Sequence, residues 1–108
     1  MNPPNENPRS RVLSTLRALE PELQAAGVRH VSLFGSVARG DDSASSDVDL
    51  ALDLAPGTLP TGFQFVAHVE RLKRRLAAAL NRDVDIVILP AKRRALEETL
   101  RREAVPAF

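Results

Sequence analysis

With 108 residues, 44% of them apolar and 27% charged, the chain has the composition of one globular domain able to bury a single core. It holds no cysteine, which excludes disulfides and thiolate metal sites; no apolar run nears the ~18 residues of a membrane span and no signal peptide opens it, so a cytoplasmic location is expected. The net charge of +1 is too small to argue for nucleic acid, but residues 1–60 carry five Arg against eight Asp and Glu, and residues 61–108 carry ten Lys and Arg against six.

In chain order, residues 1–9 are polar and proline-rich and are expected to be a disordered tail ahead of one domain over residues 10–108. Ser10 is the expected cap of a first helix, with Val12, Leu13, Leu16 and Leu19 at helical spacing. Pro21 breaks or restarts that helix and Gly27 ends it. VRHVSLF (28–34) reads as a strand by its β-branched and apolar content. The turn-rich GSVARGDDSASSD follows, with one helical turn over Ser-Val-Ala-Arg. DVDLALDL (47–54) alternates with period two, Val48, Leu50, Leu52 and Leu54 facing one way and Asp47, Asp49, Ala51 and Asp53 the other. Residues 63–80 carry apolar positions at 65, 69, 72, 76 and 80, an amphipathic helix. DVDIVIL (83–89) is a third strand, and Pro90 is expected to start a last helix bearing Leu96 and Leu100. The order predicts an α/β domain, a small mixed sheet of about three strands flanked by helices.

The chemistry concentrates in two places. Asp47 and Asp49, two residues apart on a strand, project from one face with Cα atoms roughly 6.6 Å apart. Two carboxylates so placed repel unless a cation sits between them, and hard oxygen ligands suit Mg²⁺, which completes its shell with water and phosphate oxygens. Such a pair can bridge two metal ions. An Asp-x-Asp alone is weak evidence, since surface strands carry such pairs by chance. Upstream, Gly35 lets the backbone approach a ligand closely, Ser36 offers its hydroxyl and N–H, and the short helix behind directs its positive end at a phosphate. Arg39 is placed to reach a phosphate oxygen. Asp85 shares the outward phase of its own strand. If that strand neighbours the first, three carboxylates converge, and the third can ligate a second metal or accept a proton from an attacking hydroxyl. Asp83 has the same facing and competes for that role, although its place beside a turn favours strand-end solvation.

LFGSVARG followed by SDVDLAL, with ten residues between Ser36 and Asp47, resembles the Gly-Ser-x10-Asp-x-Asp pattern of the minimal nucleotidyltransferases of the DNA polymerase β-like superfamily. RDVDIVIL resembles the strand bearing that family's third carboxylate, and REAVPAF its ending. The resemblance implies a nucleotidyltransferase fold and AMP transfer from Mg-ATP. Gly35, Ser36 and Arg39 would bind nucleotide, and Asp47, Asp49 and Asp85 would be the catalytic carboxylates, holding two Mg²⁺ ions. Small stand-alone members are commonly antitoxins paired with a HEPN-domain ribonuclease, which they neutralise by AMPylating a tyrosine or by complexation. The chain contains no tyrosine, so a tyrosine acceptor would belong to another molecule. A binding-only antitoxin and a transferase acting on a small molecule or an RNA end stay open as alternatives.

Other features weigh less. Asp41 and Asp42 read as solvated loop charge. Asp53 lies too far along its strand for a direct metal role. His30 and His68 are expected at the surface, and the basic runs at 71–75, 92–94 and 101–102 as solvated helix faces, able to guide ATP or an acidic partner. With four Phe and neither Trp nor Tyr, the chain lacks the aromatic interleaving that nucleic acid stacking needs.

Overall fold

A computed structural model describes residues 7–43, 45–57 and 59–108. Residues 1–6 of the expected tail lie outside the described residues. Helix α1 (Pro8–Ala18) starts two residues before the expected cap: Asn7 Oδ1 accepts the Ser10 N–H at 2.8 Å, so Asn7, not Ser10, is the cap. Pro8 at the first helical position has a preset φ and no N–H to leave unsatisfied, which is why the helix begins there.

The chain continues through α2 (Glu20–Ala25), β1 (Val28–Phe34), α3 (Gly35–Arg39), β2 (Val48–Leu54), α4 (Gly62–Leu80), β3 (Val84–Ile88), α5 (Arg94–Glu103) and β4 (Val105–Pro106). The four strands form one mixed sheet in the order β3-β2-β1-β4, with β1 antiparallel to both β2 and β4 and β2 parallel to β3. Three strands are expected from the sequence; the fourth is two residues long and contains Pro106, which only an edge position tolerates. Its pairing is reinforced by the Ala107 N–H, which donates to the Val31 carbonyl at 2.8 Å.

One face of the sheet carries the core. Val31, Leu33, Val48, Leu50, Leu52 and Val84 pack with Val12, Leu13 and Leu16 of α1, Leu23 of α2, and Leu72 and Leu76 of α4. The period-two reading of β2 therefore holds for Val48, Leu50 and Leu52. Ala51, on the opposite face, is also buried, standing in register between Ser32 and Val87. The last helix begins at Arg94, four residues later than expected at Pro90. The Leu89 N–H still donates to the Leu52 carbonyl at 2.9 Å, so the chain must clear the sheet before it can coil.

The segment between α3 and β2 is held by an interaction that no local pattern announces. Arg82, just beyond α4, donates to Asp42 Oδ2 at 3.1 Å, to the Ser43 carbonyl at 2.9 Å and to the Ser46 carbonyl at 2.7 Å. The side chains of Arg82 and Asp42 are only 17% and 9% exposed, so Asp42 is a buried ion-pair partner and not solvated loop charge. Breaking a buried pair strands the remaining charge, typically at about 3 kcal/mol. Arg82→Met should lower stability by about that amount, and adding Asp42→Asn should cost less than the sum of the two single changes. Urea denaturation of the double-mutant cycle measures both.

Candidate active site

The site is built by strand register. Phe34 stands opposite Asp49 on the antiparallel β1–β2 pair, and Asp49 stands opposite Asp85 on the parallel β2–β3 pair. Register partners project from the same face, so two of the three carboxylates predicted from the sequence are neighbours across β2 and β3. Asp47 precedes β2, which begins at Val48 and not at Asp47 as the alternation suggests. The first ladder bond there is from the Val48 N–H to the Asp83 carbonyl at 2.9 Å. Asp47 follows Ser46, whose carbonyl Arg82 grips.

Gly35 follows β1 and opens α3 with φ +76, a backbone state that L side chains rarely adopt. The requirement is spatial as well. A Cβ on Gly35 would overlap Oδ2 of Asp49 and lie 3.0 Å from its carboxyl carbon. The Asp49 carboxylate thus rests over the Gly35 backbone. No side chain caps the first turn of α3, which Ser36 follows into, and Gly40 closes the helix in the left-handed conformation at φ +83. The Gly40 and Asp41 N–H groups both donate to the Ser36 carbonyl, at 2.9 and 3.0 Å.

Electrostatics tie the carboxylates together. Asp49 is held above the ordinary aspartate range, first by burial, then by the negative charges of Asp85 and Asp47, with Arg39 pulling the other way. Asp83, the competitor of Asp85, is not among these causes. Its carbonyl serves the backbone ladder and its side chain is exposed. Arg39 is within electrostatic reach of Asp49, but its guanidinium also donates to Asp41 Oδ2 and Glu103 Oε2, each at 3.1 Å. Asp53 is engaged by Arg29 through bonds of 3.0 to 3.2 Å, away from the cluster. His68 is half-buried and not at the surface, its Nε2 2.7 Å from the Ala26 carbonyl, while His30 is exposed.

Among the described residues no three Asp, Glu, His or Cys side chains close on one point as a ready-made cation cage. The donor set nevertheless fits Mg²⁺, which takes one or two carboxylates and fills its shell from phosphate and water. A half-buried carboxylate burdened by two like charges is relieved by a divalent cation. The residues that sequence reasoning missed are Arg82, Asp42 and Glu103. Their partners lie 40 and 64 positions away, beyond any local pattern.

Four known families or proteins are similar to this chain. The family model described as "Polymerase beta, Nucleotidyltransferase" matches residues 18–105. The protein adenylyltransferase MntA of Thermococcus cleftensis is 33% identical over 85% of this chain and 88% of its own length. Among solved structures, one assigned as a minimal nucleotidyltransferase is 31% identical with a TM-score of 0.71, covering 96% of this chain and 99% of that one. A toxin–antitoxin crystal structure with AMP-PNP is 25% identical with a TM-score of 0.66, covering 87% and 72%.

Two outcomes follow from the site. Gly35→Ala should destabilise the protein by about 1–2 kcal/mol through its left-handed backbone alone, and displacing Asp49 should slow any chemistry there about 10²-fold; denaturation and rate measurements check each. The second concerns pH. The folded state binds the Asp49 proton more tightly than the unfolded chain does, so stability falls as pH rises from the ordinary value of 3.8 through the raised folded value. In metal-free buffer at pH 7, Asp49→Asn should therefore melt higher than the wild type, and below pH 3.8 the difference should vanish.

Proposed function

Since this chain belongs to the polymerase β nucleotidyltransferase family, we propose that it transfers AMP from Mg-ATP to a tyrosine of a HEPN-domain toxin and acts as that toxin's antitoxin, in the cytoplasm. The observation that carries the reading is the double register that sets Asp49 opposite Asp85 and over the Gly35 backbone. The MntA relative is a protein adenylyltransferase, and the structural neighbour with AMP-PNP is a toxin–antitoxin pair; both support the assignment of donor and partner.

Gly35 and Ser36 present backbone N–H groups and a hydroxyl to the triphosphate, with Arg39 as a further phosphate contact. Asp47 and Asp49 would hold Mg²⁺, with Asp85 joining them at a second ion. The metal, when bound, supplies positive charge against the phosphate oxygens. The tyrosine hydroxyl oxygen bonds to the α-phosphorus of ATP as the bond to the bridging oxygen breaks. Pyrophosphate leaves with that electron pair, and Asp85 accepts the phenolic proton. The acceptor must come from outside, because the chain has no tyrosine of its own.

The test is transfer of label from α-labelled ATP with Mg²⁺ to a HEPN-domain protein, taken from the product of the neighbouring gene if that gene encodes one. Label should appear on the partner and fall about 10²–10³-fold in Asp47→Asn and Asp49→Asn. A stable complex with no label would sink transfer as the mode of neutralisation and leave a binding antitoxin.

A further inference from the structure

The sheet order separates the two sides of the site. The Gly35-Ser36 turn follows β1, on one flank of β2, while β3 forms the opposite flank. A groove of about 400 Å³ opens on the β3 flank, lined by Asp47, Asp83, Glu70, Lys73 and Arg74. It joins a candidate catalytic carboxylate directly to helix α4. A phosphate donor seated at the β1 turn leaves this flank free.

The groove carries both signs of charge, Asp47, Glu70 and Asp83 with Lys73 and Arg74. Arg39 and Arg82, the other arginines near the site, are bound to Asp41, Glu103 and Asp42. Lys73 and Arg74 have no carboxylate within ion-pair distance among the described residues, although Glu70 lies on the same groove. Lys73 and Arg74 are therefore available to acidic side chains of a docked molecule, at the mouth of the groove that Asp47 lines.

The same helix carries an apolar anchor. Phe63 and Val66 are 94% and 57% exposed, the two large apolar side chains left in solvent among the described residues. Positions 63, 66, 70, 73, 74 and 77 recur at helical spacing along one stripe of α4, next to the stripe of Leu72 and Leu76 that faces the core. From Phe63 to Ala77, fourteen residues at 1.5 Å each, the stripe runs roughly 21 Å and ends at the groove beside Asp47.

We propose that this stripe of α4 is the docking surface for the acceptor protein: Phe63 and Val66 seat in an apolar socket, Lys73 and Arg74 pair with acidic side chains, and the modified residue enters along the groove beside Asp47. The proposal rests on the transfer reading for its acceptor. An exposed aromatic combined with two adjacent cations fits a protein surface; a strand of RNA would call for several exposed stacking rings, and among the described residues Phe63 is the one phenylalanine ring that is exposed.

The experiment measures binding and labelling together, using the full chain and the HEPN-domain protein that accepts label in the transfer assay or, failing that, co-purifies with it. Lys73→Glu combined with Arg74→Glu, and separately Phe63→Ser, should each weaken binding about tenfold or more and raise the KM for the acceptor protein. Wild-type binding should weaken as salt rises, and the charge-reversed variant should lose that dependence. Melting curves of the variants separate lost docking from lost folding. Wild-type affinity in both variants overturns the docking surface even while label is transferred. If the wild type binds but transfers no label, the transfer reading falls, and the affinities of the same variants still decide the surface. Failure of the wild type to bind the protein, or label appearing on RNA in its place, overturns the proposal.

Discussion

The structure depends on the seating of the Asp49 carboxylate over Gly35. A strand residue ordinarily meets its cross-strand neighbour side chain to side chain, but here the neighbouring strand ends at Phe34 and the next residue has no Cβ. That absence lets a charged group settle onto backbone at the point where β1 turns into α3. The turn, the register of β1 with β2 and the position of Asp49 are consequently one constraint. Register slippage by a single residue would send Asp49 into the apolar core and Leu50 outward, and burial of Leu50 and Leu52 holds against it.

Around that point the molecule tolerates electrostatic stress. Burial and two like charges all oppose ionisation of Asp49, and among the described residues no cation forms an ion pair with Asp47, Asp49 or Asp85. Two of the nearby guanidiniums are turned to other tasks: Arg82 ties down the loop that delivers Asp47, and Arg39 links α3 to α5 through Glu103. Stability is thus sacrificed where an incoming divalent ion and a nucleotide would restore it, in keeping with the general opposition between site function and folding energy.

Much of this is legible in the sequence because local rules govern it. The bounds of β1, the alternation in β2, the left-handed exits at Gly27 and Gly40, and the amphipathic α4 all follow from residues within a few positions of one another. The Gly-Ser turn and the Asp-x-Asp pair can be read for the same reason. What escapes has its cause elsewhere. Ser10 looks as suitable a cap as Asn7, and Pro8 decides between them. Asp42 resembles a surface charge because its partner is Arg82, forty residues on. The adjacency of β2 and β3 enters a sequence reading only as a condition, since it depends on how α4 crosses back over the sheet. β4 is too short to give any periodic signal.

Among the described residues the order β3-β2-β1-β4 leaves β3 at the margin of the sheet, with no strand paired along its outer edge. Its sequence, Val-Asp-Ile-Val-Ile followed by Leu, would be a strongly self-associating segment were it not interrupted by charge. Asp85 is that interruption, and Asp83 stands just before it. One carboxylate therefore carries two duties: it completes the acidic cluster, and it acts as a gatekeeper against edge-to-edge aggregation. Exchanging Asp85 for an apolar residue would therefore open the margin of the sheet to its neighbours.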